Sequence, residues 1–161
     1  MILWMTTKAP KLFIPRQTLA EIEHLCMNTS GAGPAQEVCG FLAGHIKADH
    51  FRVSKVLAMD NSAESDLPHR YRIDAQAYME AERRFELRGL QIIGIFHSHP
   101  GTSAEPSQLD RDYFFPGWVY LIVGLLSGGL TEHRAFAKFI SPADAIIEAS
   151  IEVLDHEATP W

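Results

Sequence analysis

The feature that most constrains this 161-residue chain is the stretch HSHPGTSAEPSQLD, which runs from His97 to Asp110. It follows an apolar, β-branched run, QIIGIF at residues 91–96, of the kind that forms a buried strand. Because alternate side chains of a strand share a face, His97 and His99 point the same way, and the Pro-Gly pair that follows ends the strand. The ten residues between His99 and Asp110 allow a loop to fold back and bring a third ligand to the same point.

Three ligands of this kind predict a zinc site with an open position for water. Structural zinc is usually closed by four ligands, often thiolates, whereas catalytic zinc keeps three protein ligands. The chain has only Cys26 and Cys39, which excludes a closed site of cysteines alone. Zinc lowers the pKa of bound water to about 7, but the reaction still needs a general base. Glu37 heads an otherwise apolar segment that ends at Gly44. Burying a carboxylate in such a segment is costly unless it has a partner, so its presence suggests a function.

Each part of this pattern also has a purely structural interpretation. A His-x-His pair taken alone is more often two satisfied or exposed histidines than a metal site. The sequence from Ser107 to Asp110 fits a capping box that opens a helix through Phe115. The two interpretations are compatible, because a cap would orient the helical turn that presents Asp110.

Taken together, Glu37, the His97-Ser98-His99-Pro100 run and Ser107-x-x-Asp110 resemble the signature of the JAMM, or MPN-plus, metallopeptidases. The flanking residues are similar to those of the small stand-alone bacterial members, and the resemblance covers about residues 14–126. It implies that Glu37 is the general base and that Ser107 stabilises the oxyanion. It also implies that one zinc ion is held by His97, His99 and Asp110.

The resemblance further implies a zinc metallopeptidase that cuts the amide bond after the C-terminal Gly-Gly of a ubiquitin-like or sulfur-carrier protein, from a free amino acid or a lysine side chain. A site at strand ends would suit an extended peptide that adds to the sheet. The alternative is a catalytically silent scaffold of the same fold, and the five intact motif positions favour the enzyme. A zinc nucleotide deaminase is excluded because no cysteine follows Cys39.

Composition argues against two other classes of partner. The net charge is −6, and the 14 basic residues are scattered, so neither nucleic acid nor an anionic membrane is an expected partner. No apolar run reaches membrane-spanning length, and the apolar start at residues 1–5 is too short for the core of a signal peptide. We therefore expect a cytoplasmic protein with reduced thiols.

The remaining patterns predict a single mixed α/β domain over residues 1–161, with a curved sheet and about three helices packed on it. The resemblance implies the same MPN, cytidine-deaminase-like architecture. Predicted strands occupy residues 11–14, 37–44, 51–59, 91–96, 118–126, 132–140 and 145–154. Predicted helices occupy residues 15–27, 74–88 and 107–115, and predicted loops residues 28–34, 45–50 and 61–68. His45 and His50 are predicted on the surface of a turn, Cys26 in the core, and Cys39 either packed as a buried thiol or beside the site.

Overall fold

A computed structural model describes residues 9–28, 36–63, 70–139 and 145–157. In chain order the elements are β1 (Lys11–Pro15), α1 (Arg16–Met27), β2 (Cys39–Lys47), β3 (His50–Met59), α2 (Ala75–Glu86), β4 (Gln91–Pro100), α3 (Gln108–Tyr113), β5 (Val119–Leu125), β6 (Thr131–Lys138) and β7 (Ile146–Leu154). A short 3₁₀ turn, Ser127–Gly129, joins β5 to β6. The predicted mixed α/β class with three α-helices is confirmed.

The sheet curves until it closes, in the order β1-β3-β2-β4-β5-β6-β7. Closure is made by β1, which pairs in parallel with both β3 and β7. The predicted curved sheet is confirmed, and the closure goes beyond what the pattern predicted. The closure is partial along the strands, because β1 pairs with β3 only over His50–Arg52 and with β7 only over Ser150–Leu154.

The helices lie on two different parts of the core. From α1, Ile22 and the predicted core residue Cys26 are buried in the cluster that also contains the alternate β5 residues Val119, Leu121 and Val123. α2 instead packs Ala81 and Phe85 against Phe41, Ala43 and Ile92. The other face of β5 contributes Tyr120 and Ile122 to a third cluster, so β5 is buried on both faces, as its continuous apolar run predicted.

The loop predicted at residues 45–50 is wrong, because the hairpin pairing of β2 and β3 continues to Lys47 and His50. The turn is only Ala48-Asp49, and Ala48 takes a φ of 56° to close it. His45 therefore belongs to β2. His50 belongs to β3 and meets the edge of the Phe13 ring with centroids 5.6 Å apart, so neither lies on a turn surface.

Several predicted element ends also move, and two of them bear on the site. α3 ends at Tyr113 rather than Phe115, because Phe114 is extended and buried, with its ring stacked 3.9 Å from that of Tyr120. β2 begins at Cys39 rather than Glu37. The apolar start and most of the loops predicted at residues 28–34 and 61–68 lie outside the described residues. Among the helices that are described, none has the length and apolar character needed to cross a membrane.

Candidate metal centre

Strand β4 carries the two histidines. His97 and His99 pair with Ile122 and Gly124 of β5, in the interior of the sheet, and both imidazoles are buried on the same side of β4. Their Nε2 atoms lie 3.1 Å apart. Gly101, at a φ of 74°, then turns the chain out of the strand while its N–H donates to the Leu125 carbonyl. The shared face predicted from strand alternation is confirmed.

Helix α3 brings Asp110 to the same point. Its Oδ1 lies 3.2 Å from His97 Nε2, and its Oδ2 lies 3.3 Å from His99 Nε2. Ser107 caps the helix, and the two residues form the complete capping box. Each of the three predicted ligands offers one metal-ligating atom, and these three atoms lie within 4.8 Å of one another. The capping box is confirmed, and the ligand interpretation, which stays a prediction, is compatible with it.

The donor set fits a divalent ion such as zinc. His99 Nδ1 is 3.0 Å from the Ser103 carbonyl oxygen, which can only accept, so Nδ1 carries a hydrogen and Nε2 is the atom left for a metal. Burial opposes ionisation of Asp110, but hydrogen bonds from both histidines and from Ser107 outweigh it and hold its pKa well below its usual range. Two imidazoles and one carboxylate are the ligand number and type of an open zinc site.

The pKa values of the two histidines are shifted in opposite directions. Burial lowers the pKa of His97, which favours the neutral ring that a metal requires. Burial has the same effect on His99, but its hydrogen bonds to Asp110 and to the Ser103 carbonyl raise its pKa overall. A metal ion at His99 Nε2 would compete with a proton for that atom, as is usual for metal ligands.

Glu37 lies just before β2 and is fixed through its backbone. The N–H of Val38 donates to Ser98 Oγ and the N–H of Ser98 donates to the Val38 carbonyl, both over 2.9 Å. On the other side, Asn61 Nδ2 donates to the Glu37 carbonyl over 2.9 Å. Ser98 and Asn61 were missed by sequence reasoning. A small polar residue between two ligands on a buried strand is the signal that could have identified Ser98.

The Glu37 side chain is 6% exposed. Burial raises the pKa of Glu37 to about 7, with a further increase from the charge of Asp110 and an opposing decrease from His99. A carboxyl group with this pKa can both accept and donate a proton at neutral pH, which is what a general acid–base residue requires.

Ser107 and Cys39 also lie next to the predicted metal ligands. The Ser107 hydroxyl accepts from the Asp110 N–H over 3.1 Å and donates to Asp110 Oδ2 over 2.7 Å. Its predicted role at the oxyanion stays a prediction. Cys39 pairs with His97 across the β2–β4 ladder, is fully buried, and has a pKa raised to about 12, mainly by burial. It is a neutral packed thiol that donates to the Met59 carbonyl over 3.8 Å.

A cleft of about 780 Å³ opens beside the ligands. It extends from Glu37 and Asp110 to the aromatic rings of Tyr78 and Trp118. Tyr71, which sequence reasoning missed, lines it and lies against the His97 ring with centroids 4.7 Å apart. The lining is mainly aromatic and aliphatic, and its charged residues are Glu37, Arg70, Arg72 and Asp110. Such a lining is typical of a site that binds and processes a ligand.

A cleft beside a buried His-His-Asp centre on a mixed α/β sheet defines a candidate metallohydrolase. The family described as prokaryotic homologs of the JAB domain matches residues 20–137. The chain therefore belongs to this family, and the predicted resemblance to small stand-alone prokaryotic JAMM proteins is confirmed.

Two curated relatives and two solved structures are similar to the chain. A desampylase of Haloferax volcanii is 34% identical over 119 residues, which cover 70% of this chain and 78% of that protein. A desampylase of Pyrococcus furiosus is 33% identical over 101 residues, which cover 63% of this chain and 64% of that protein. A solution structure from Desulfitobacterium hafniense has a TM-score of 0.76 at 26% identity and covers 91% of this chain and 94% of that one. Another solution structure, from Salinibacter ruber, has a TM-score of 0.63 at 27% identity and covers 93% of this chain and 95% of that one.

Proposed function

We propose that the chain is a zinc-dependent isopeptidase or peptidase that hydrolyses the amide bond after the C-terminal Gly-Gly of a ubiquitin-like or sulfur-carrier protein. The observation that carries the proposal is the convergence of His97, His99 and Asp110 beside the buried carboxyl group of Glu37. Similarity to two desampylases supports this class of partner.

Each residue of the site would have a separate task. One zinc ion, held by His97 Nε2, His99 Nε2 and the Asp110 carboxylate, would polarise the substrate carbonyl and acidify a water molecule. Glu37 would accept a proton from the attacking water as the new C–O bond forms. It would then return that proton to the leaving nitrogen as the C–N bond breaks. Ser107, whose hydroxyl donates to Asp110 Oδ2 in this structure, would turn its O–H to the carbonyl oxygen as that oxygen gains negative charge.

A segment beside the cleft, residues 70–73, offers an extended substrate tail a place to pair. The Arg72 N–H donates to Asn61 Oδ1 over 3.0 Å, and its carbonyl accepts from the Ser62 N–H over 2.8 Å. The Arg70 carbonyl also faces Asn61. This two-residue spacing is that of an extended chain, so the backbone groups of Tyr71 and Ile73 point to the other side.

Residues Tyr71 and Ile73 line the cleft. Within the described residues, no hydrogen bond reaches the backbone groups of either one. We infer that the substrate tail pairs with this segment through its own backbone, so that the bond to be cut reaches the metal ligands.

Tail sequence is the first property to test. Glycine has no Cβ, so a Gly-Gly tail would pass the buried rings of His97 and His99 where a larger residue would collide. Folded carriers that end in Gly-Gly-X are expected to be cut about 10–200-fold faster than carriers that end in Ala-Ala-X, with X an amino acid or a lysine-linked peptide. Release is followed by mass spectrometry. Equal rates for both tails, or equally fast cleavage of short unstructured peptides, would contradict this substrate even if zinc is present.

Ser107 is tested by two variants that separate its capping role from its proposed chemistry. Alanine at an N-cap costs about 1 kcal/mol, whereas glycine costs only a few tenths. If the hydroxyl stabilises the oxyanion, Ser107→Ala and Ser107→Gly should both lower kcat by about 10²–10³-fold. Thermal unfolding should rank the glycine variant as the more stable of the two. A glycine variant with nearly full activity would show that Ser107 acts only as a cap.

A further inference from the structure

One peptide group lies between a metal ligand and a carboxylate on another strand. Its carbonyl, from Ser103, accepts from His99 Nδ1 over 3.0 Å. Its N–H, from Ala104, donates to Glu132 Oε2 over 2.7 Å. Because the carbonyl and the N–H of a trans peptide point in opposite directions, His99 and Glu132 hold this peptide from its two sides.

The sheet is built to receive this peptide. His99 of β4 pairs with Gly124 of β5, and Gly124 pairs with Glu132 of β6, so the three residues form one row across the sheet. A Cβ on Gly124 would lie 2.6 Å from Ala104 N and 2.8 Å from the Ser103 carbonyl carbon. Glycine is therefore required at this position, because it leaves the space between His99 and Glu132 that the peptide fills.

Strand β6 also holds the loop between His99 and Asp110 at a second point. Arg134, two residues after Glu132, pairs with Glu105, which directly follows the bridging peptide. Glu105 also accepts from Arg111 of α3 over 2.8 Å. The loop between the metal ligands His99 and Asp110 is thus tied to β6 at two neighbouring residues.

We propose that Glu132 is a positioning residue for His99 and acts through the Ser103–Ala104 peptide. A carboxylate that accepts from the peptide N–H polarises the peptide, which makes its carbonyl a stronger acceptor. The stronger acceptor keeps the hydrogen on His99 Nδ1 and increases the basicity of Nε2 toward a metal. This inference rests on the proposed metal centre. It adds to that centre a carboxylate that touches neither the metal nor the histidine.

Zinc affinity, measured by competition with a chromophoric chelator, tests the proposal. Glu132→Ala is expected to weaken zinc binding by about 10–100-fold, the range typical for lost outer partners of a ligand. Glu132→Gln should fall between this variant and wild type, because its amide oxygen still accepts from Ala104 but carries no charge. Glu152→Ala, which removes a β7 carboxylate paired with Lys11 over 3.2 Å, is the matched control and should bind zinc like wild type.

Ring nitrogen NMR of zinc-free protein, at a pH where His99 is neutral, gives a readout independent of activity. Wild type should show the hydrogen on Nδ1, and Glu132→Ala a mixture of the two tautomers. Wild-type ring shifts and wild-type zinc affinity in Glu132→Ala would overturn the proposal. If that variant does not fold, the same result in Glu132→Gln overturns it. A wild-type protein that binds no zinc would contradict the proposed function, while the ring spectra would still decide the role of Glu132.

Discussion

Replacing Asp110 with alanine is expected to reduce the zinc content from about one ion per chain to nearly none, and to abolish hydrolysis. The variant keeps two imidazoles, which are too few protein ligands to retain the ion. His97→Ala should have the same effect, because it removes the imidazole that lies 3.2 Å from Asp110 Oδ1 and so also leaves only two of the three ligands. Both variants are dialysed with wild type and compared by elemental analysis and by release of a carrier protein from its conjugate.

Asp112→Ala is the matched control for this experiment. Asp112 lies on the same helix, is exposed, and accepts from Gln108 Nε2 over 2.8 Å, so its loss leaves the three ligands in place. Asp110→Ala also removes half of the capping box of α3, at a cost of about 1 kcal/mol, and thermal unfolding measures that part separately. Equal zinc content in wild type, Asp110→Ala and His97→Ala would contradict the metal centre.

The meeting point of His97, His99 and Asp110 could be predicted because each position depends on a local rule. Strand alternation, which relates residues two apart, places His97 and His99 on one face, and a capping box, which relates residues three apart, orients Asp110. The loop between them is short enough that these two rules leave little freedom in where the ligands meet. The pairing of strands that are far apart in the sequence had no comparable local signal. Closure of the barrel brings Lys11 and Glu152 together across 141 residues, which no pattern within either strand predicts.

The supporting residues were missed for the same physical reason. Ser98 supports Glu37 through a hydrogen bond to Val38, 60 residues away, and this contact depends on the register of β2 against β4. In the sequence, Glu132 looks like any polar residue at the start of a strand. Only the sheet register shows that it lies in one row with Gly124 and His99. Gly124, an isolated glycine within an apolar strand, was the available signal, because such a glycine often marks a close approach by another backbone.

The second large effect is expected at Glu37. Glu37→Gln should keep about one zinc per chain and lose about 10²–10⁴-fold in kcat, because the amide preserves the shape of the side chain but cannot accept the proton. Glu37→Asp keeps the acid on a shorter side chain and should retain partial activity. Zinc content and carrier release are measured on the same samples. Loss of zinc in Glu37→Gln would make Glu37 a ligand, and full activity would make it merely structural.

The same substitution should change the stability of the zinc-free protein with a defined dependence on pH. Burial raises the pKa of Glu37 from 4.5 to about 7, so the folded state favours the protonated carboxyl group. That contribution is fully present below about pH 4.5 and is lost as pH rises through 7, where ionised Glu37 costs up to about 3 kcal/mol. Glu37→Gln should therefore gain stability over wild type between pH 5 and pH 8 in urea unfolding, by roughly this amount. A difference that does not change with pH would mean that the carboxyl group is solvated, and burial could not then tune it as a base.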